Sequence, residues 1–259
     1  MGLSGAATVL RFELLRTLTV SRITGWFVLV LFPVFIVSVI SYYTSGNQDH
    51  ADVRPWGVVM FGLIPEVICL LGLLLWATPI VHTELEGRTW IYLAVRPRGR
   101  INVLLGKYMA AVLWTASAAW TSAILCVSIA RPEMGLRLLW CLSALVGFSC
   151  LAYGALYCLI GAFFHRRAMV IAVAYTLVFE FLVSLIPAMI NKFTIQYRLR
   201  CLLVNWMEWS TEQLPDGFEL LLGDEPSWLH ILILIGIIVG LLVAGTQVIQ
   251  HREYATAEE

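Results

Sequence analysis

Charge is what this sequence has least of. Only 13% of its 259 residues are Asp, Glu, Lys or Arg, against about 25% in soluble domains. Hydrophobic residues make up 60% and the mean hydropathy is +0.84, so the chain reads as a polytopic membrane protein with little left for a soluble domain. Seventeen basic residues balance seventeen acidic ones, and a net charge of zero argues against a nucleic-acid partner.

Catalytic signatures are absent as well. The histidines His50, His82, His165, His230 and His251 form no HExxH pair, which excludes that zinc protease site. Gly147-Phe148-Ser149-Cys150 has cysteine where the Gly-x-Ser-Gly of rhomboid proteases ends in glycine, and no mid-span histidine stands by as its base. Ser149 therefore reads as a packing residue. Gly106-Lys107 is no nucleotide loop, because Ile101 and Tyr108 occupy the Gly and Ser/Thr positions. The chain is not expected to be an enzyme, and no catalytic, cofactor-binding or metal-ligating residue is expected.

Disulfide pairing is not expected either. Cys69, Cys126, Cys141, Cys150 and Cys158 lie inside apolar runs, which leaves Cys201 without a partner outside them. No cleavable signal peptide is expected, since Arg11, Glu13, Arg16 and Arg22 precede any long apolar run. Met1-Gly2 has Ala6 where myristoylation needs Ser or Thr. Leu3, Ala7, Leu10, Leu14 and Leu18 recur at helical spacing instead, so 1–22 is expected as an amphipathic helix on the membrane surface.

What the sequence does have is long apolar runs. Crossing a hydrocarbon core takes about 20 residues, and runs near 23–43, 57–82, 103–129, 137–163, 169–190 and 228–249 qualify. In lipid each must be a helix, because its backbone groups find partners only within the segment. The expected fold is an all-α polytopic membrane protein of one domain, 1–259, with six transmembrane helices. The third and fourth spans form a hairpin about Arg131-Pro132-Glu133.

Basic residues orient the spans. With both termini inside, the inner segments hold eleven Lys and Arg and the outer segments six, as the positive-inside rule requires. Both termini are thus expected in the cytoplasm, and 191–227 outside. Within that outer loop, 193–207 mixes aromatic and aliphatic residues with Arg198 and Arg200, and is expected as a short interfacial helix. Trp206, Trp209 and Trp228 suit an aromatic belt.

Glu66, beside Pro65, and Glu180, followed by Pro187, fall inside spans. Insertion scales put an acid at mid-span about 2.5–3.5 kcal/mol uphill, so function is the first hypothesis. The alternative is a protonated acid hydrogen-bonded to a neighbouring helix. Gly147, Gly154 and Gly161 recur every seven residues, and Gly236 and Gly240 repeat small-residue spacing. These glycines serve either packing within the chain or a dimer seam.

The densest charge lies between the second and third spans. Segment 83–107 carries Arg88, Arg96, Arg98, Arg100 and Lys107. Thr83 with Glu86 has capping-box spacing, and Pro97 disfavours helix at Arg96. A short capped helix is expected within cytoplasmic segment 83–102, with Trp90, Ile91, Leu93 and Val95 as apolar docking surface.

The order Glu84-x-Glu86-Gly87-Arg88-Thr89, Leu93-x-x-Arg96-Pro97-x-x-Arg100 and Gly106-Lys107 resembles the cytoplasmic signature of type-2 ABC transporter permeases. Arg88 interrupts the usual Gly-Thr, and Gly99 replaces the usual Ser before Arg100. Gly161-Ala-Phe-Phe-His-Arg-Arg167, Glu180, Pro187 and Tyr197-Arg-Leu-Arg200 are similar to the fifth-span region of bacterial members. The resemblance implies a permease subunit in a bacterial inner membrane, paired with a second protomer in a homo- or heterodimer. It implies a separate cytosolic ABC ATPase docking on Glu84, Glu86, Gly87, Arg88, Trp90, Tyr92, Arg96 and Arg100, and export as the activity. A stand-alone carrier or channel is the competing reading; internal repeats or more mid-span charges would favour it.

Overall fold

The apolar runs become helices, two of which pass into π-helical spacing part-way along. The computed structural model describes residues 2–16, 19–44, 53–86, 99–164, 167–182, 194–209 and 225–251, all helix, turn or short connection. In chain order these are α1 (Gly2–Arg16), α2 (Val20–Thr44), α3 (Val53–Phe61), a π-helical segment π1 (Gly62–Ile68), α4 (Cys69–Trp76), α5 (Ile80–Glu86) and α6 (Gly99–Ala130). There follow α7 (Gly135–Phe163), α8 (Ala168–Tyr175), a second π-helical segment π2 (Thr176–Leu182), α9 (Ile195–Met207) and α10 (Ser227–His251).

Five stretches are long and apolar enough to cross a membrane: Val20–Thr44, Val53–Glu84, Gly99–Ala130, Gly135–Phe163 and Ser227–His251. The expected span 169–190 is described as α8 and π2 as far as Leu182, and 183–190 lie outside the described residues. The described spans therefore number five where the sequence led us to expect six.

Helix α7 is central. It packs against α4, α6, α9 and α10, while α2 and α10 turn much of their apolar surface outward. Small residues let backbones close on it. A Cβ on Gly161 would strike the Thr78 carbonyl, and one on Gly154 would press Tyr108 and Val112 at 3.0 Å. Gly147, Gly236 and Gly240 have no such neighbour among the described residues, whereas Gly154 and Gly161 pack within the chain. All six cysteines are buried, and none is in a disulfide among the described residues.

The α6–α7 hairpin turns as expected at Arg131-Pro132-Glu133. Arg131 at φ 46° and Met134 at φ 54° take left-handed conformations to reverse the chain within four residues. Helix α1 lies along α6: its Val9 side chain and Ala6 carbonyl meet Gly106, and Gly5 meets Asn102. Its bundle side carries buried Glu13, while Ala7, assigned to the apolar stripe, is exposed.

Two sequence expectations change. Thr83 does not start a helix; α5 begins at Ile80, after the turn at 77–79. The Thr83 N–H donates to the Pro79 carbonyl and its hydroxyl donates back to the Ile80 carbonyl. Its hydroxyl is thereby used inside the helix and caps nothing. Helix α9 exists near the expected place, but it is buried, with Leu199, Cys201 and Leu202 at 0–1% exposure. It packs into the bundle against α7 and α10.

Candidate functional site

A proline in a spanning helix removes one donor from the ladder, and around Pro65 the ladder changes its spacing. Pro65 has no N–H to continue the α-ladder, and the spacing widens: the Cys69 N–H donates to Ile64, five residues back. The Pro65 carbonyl accepts the buried Ser149 hydroxyl at 2.7 Å. Ser149, read from sequence as packing, bonds the distorted turn that carries Glu66.

Glu66 faces α9. Its Oε1 accepts the Arg200 Nε–H at 2.8 Å across 134 residues of sequence. Each side chain is nearly buried, at 11% and 15% exposure. The Gln196 side chain, one turn before Arg200, lies close to Glu66. A buried acid with a bidentate-capable guanidinium can stay ionised where an unpaired one could not.

Glu180 lies in π2 and is 1% exposed. Its Oε2 accepts the Tyr153 hydroxyl at 2.9 Å and the Gln196 backbone N–H at 3.3 Å. Gln196 is in the first turn of α9, whose N-cap is Thr194, with Oγ1 accepting from the Tyr197 N–H at 3.2 Å. Glu180 thus occupies the place where a helix has free donors and a positive dipole end. Next to it, Tyr157 and Thr176 share a hydroxyl–hydroxyl bond of 2.7 Å. Both candidate acids therefore converge on one helix, Glu180 at its start and Glu66 at its second turn.

The rest of α9 is tied down as thoroughly. Arg198 Nη1 donates to Glu225 at 2.6 Å and lies 3.1 Å from His230 Nδ1 on α10. Arg137 on α7 donates to the Trp206 carbonyl at 2.9 Å and pairs with Glu208 at 2.8 Å, a cation at the C-terminal end of α9. A cavity of about 110 Å³ opens beside the Glu66–Arg200 pair. Val58, Phe61, Gly62, Leu203, Val204 and Trp209 complete its walls.

A second polar knot lies where α1, α5 and α6 meet. Lys107, 9% exposed, pairs with Glu84 and lies 3.7 Å from Glu13. Glu84, assigned from the sequence to an ATPase rim, is buried here. Arg100, from the same assignment, reaches the Ile249 and Gln250 carbonyls at the end of α10, both at 3.4 Å. The Glu86 side chain and Gly87, Arg88, Trp90, Tyr92 and Arg96 lie outside the described residues.

Sequence reasoning singled out Glu66 and Glu180 but not Tyr153, Gln196 or Arg200 as their partners. The one available signal was a pair of arginines, Arg198 and Arg200, inside an otherwise apolar helix. Two neighbouring residues on a helix face different ways, which lets them serve different acids.

A bundle of helices long and apolar enough to span a membrane, with an ion pair at an internal contact, is the architecture of an integral membrane protein. Residues 21–191 match the family described as ABC-2 family transporter protein. The chain belongs to that family and is a permease of the ABC-2 type. No curated protein matched the sequence.

Proposed function

We propose that this permease is the membrane half of an exporter whose ATP hydrolysis occurs on a separate cytosolic ABC subunit. Family membership across 21–191 is the observation that carries the reading. In it, residues 84–100 form the docking segment, with Trp90 and Tyr92 as apolar anchors and Glu86, Arg88 and Arg96 as polar contacts around Gly87. Glu84 acts from behind that surface: through Lys107 it links the segment to α1 and α6, so a push on the segment reaches both helices. Arg100 extends the link to the end of α10.

Two protomers pair in a bacterial inner membrane with both termini in the cytoplasm, and lipid covers the outward faces of α2 and α10. Glu66 and Glu180 act by seating α9 against the spans. The first test is topology and company. Cysteine placed at Asp216 in a background freed of native cysteines labels from outside, and cysteine at Arg98 labels only after permeabilisation. An ABC ATPase encoded beside the gene co-purifies with the tagged permease. A permease that transports without any ATPase favours the carrier or channel reading instead.

A further inference from the structure

The cavity beside π1 is more than a packing defect. Its walls are apolar at Val58, Phe61, Leu203 and Val204, and its polar edge is the Glu66–Arg200 pair. Trp209 lines it too, 9% exposed, and the indole Nε1–H is buried with no acceptor among the described residues. The Trp209 ring is fixed in place by lying directly on Gly57, where a Cβ would collide with it. Gly62 also lines the cavity, and a Cβ there would meet nothing within 4 Å. The space is somewhat smaller than an engineered cavity of about 150 Å³ that binds benzene, at about 110 Å³. It is partly open, so a longer chain can extend beyond it.

The ion pair sets what can bind. An anion must pull Arg200 from Glu66, and a cation must pull Glu66 from Arg200. Either leaves a nearly buried charge without its partner, the costly outcome for such pairs. A neutral group that both donates and accepts, a hydroxyl or an amide, can donate to the Glu66 carboxylate and accept from Arg200 while the pair stays closed. The apolar walls then take the adjoining carbons.

We propose that this cavity is a binding site for a neutral amphiphile, an apolar chain ending in a hydroxyl or amide, and that such molecules are the class this permease handles. The second half rests on the permease reading; the binding half does not.

The test uses the full-length permease in lipid nanodiscs and an octanol bearing a diazirine, with adducts mapped by mass spectrometry. The expected adducts fall on Phe61, Leu203, Val204 or Trp209. Excess 1-octanol removes them with at least about tenfold preference over octylammonium and octanoate, because only the charged heads must open the pair. Gly62→Leu, which grows into empty space, abolishes them in protein that elutes as wild type. Adducts elsewhere only, or equal competition by the three head groups, overturn the site; if Gly62→Leu does not fold, the wild-type competition alone decides. Correct adducts in a permease that binds no ATPase leave the site standing and sink the ATPase-coupled exporter reading instead.

Discussion

Glu66 and Arg200, 134 positions apart in the chain, meet at 2.8 Å and fasten α9 to the second span. The attraction is strong because both groups are nearly out of water, and for the same reason neither tolerates losing the other.

Arg200→Gln strands the Glu66 carboxylate and should cost about 3–5 kcal/mol, the range for breaking a buried pair. Glu66→Gln with Arg200→Gln removes both charges and should recover part of that loss. Thermal unfolding of the four proteins in one detergent gives the cycle. Additive losses would show that the pair does not couple α9 to π1.

For Glu180 the two obvious substitutions separate charge from hydrogen bonding. Glu180→Gln keeps an oxygen for the Tyr153 hydroxyl and the Gln196 N–H. Glu180→Ala leaves two buried donors unmet, at about 1–3 kcal/mol each. The alanine variant should lose folded yield and activity, and the glutamine variant should keep most of both. Equal loss in the two would mean that charge itself is required.

The glycines of α7 predict a contrast within one helix. Gly161→Ala drives a methyl into the Thr78 carbonyl, which belongs to backbone and cannot rotate away. Overpacking of this kind costs about 1–3 kcal/mol. Gly147→Ala meets nothing within 4 Å and should elute from size exclusion as wild type does. Similar behaviour of the two would remove close α7 packing as the use of Gly161.

The apolar runs were legible because backbone in lipid leaves the chain one choice, and Glu66 and Glu180 stood out because acids there are costly. Their convergence was not legible. Hydropathy reports how long a segment is and how polar, but not which residue 134 positions away it faces. The π-helical segments were hidden too, although Pro65 marked the first. Thr83 misled for a local reason: Thr-x-x-Glu spacing is the same whether the hydroxyl caps a helix start or bonds back within one, and only the turn at 77–79 decides. Helix α9 was expected at an interface from its mixture of aromatic, aliphatic and arginine side chains; what the mixture did not show is that Arg198 and Arg200 pair with Glu225 and Glu66.

Lys107 offers a check on how the docking segment is tied to the bundle. Lys107→Met keeps the length of the side chain but leaves Glu84 and Glu13 together without their cation. ATPase binding should persist, because the proposed docking surface is unchanged, while transport-linked hydrolysis falls. Loss of binding and hydrolysis in parallel would place Lys107 in the docking surface and not behind it.

The most direct measurement is ATPase retention and transport-linked hydrolysis by a Trp90→Ala, Glu86→Ala permease reconstituted with its ATPase subunit. Neither change touches a described span, so membrane insertion should match wild type. The account predicts weaker co-purification and hydrolysis reduced by about tenfold or more, as for the loss of an aromatic interface anchor. Full retention and full transport would contradict docking through residues 84–100, and with it the proposed coupling to a separate ATPase.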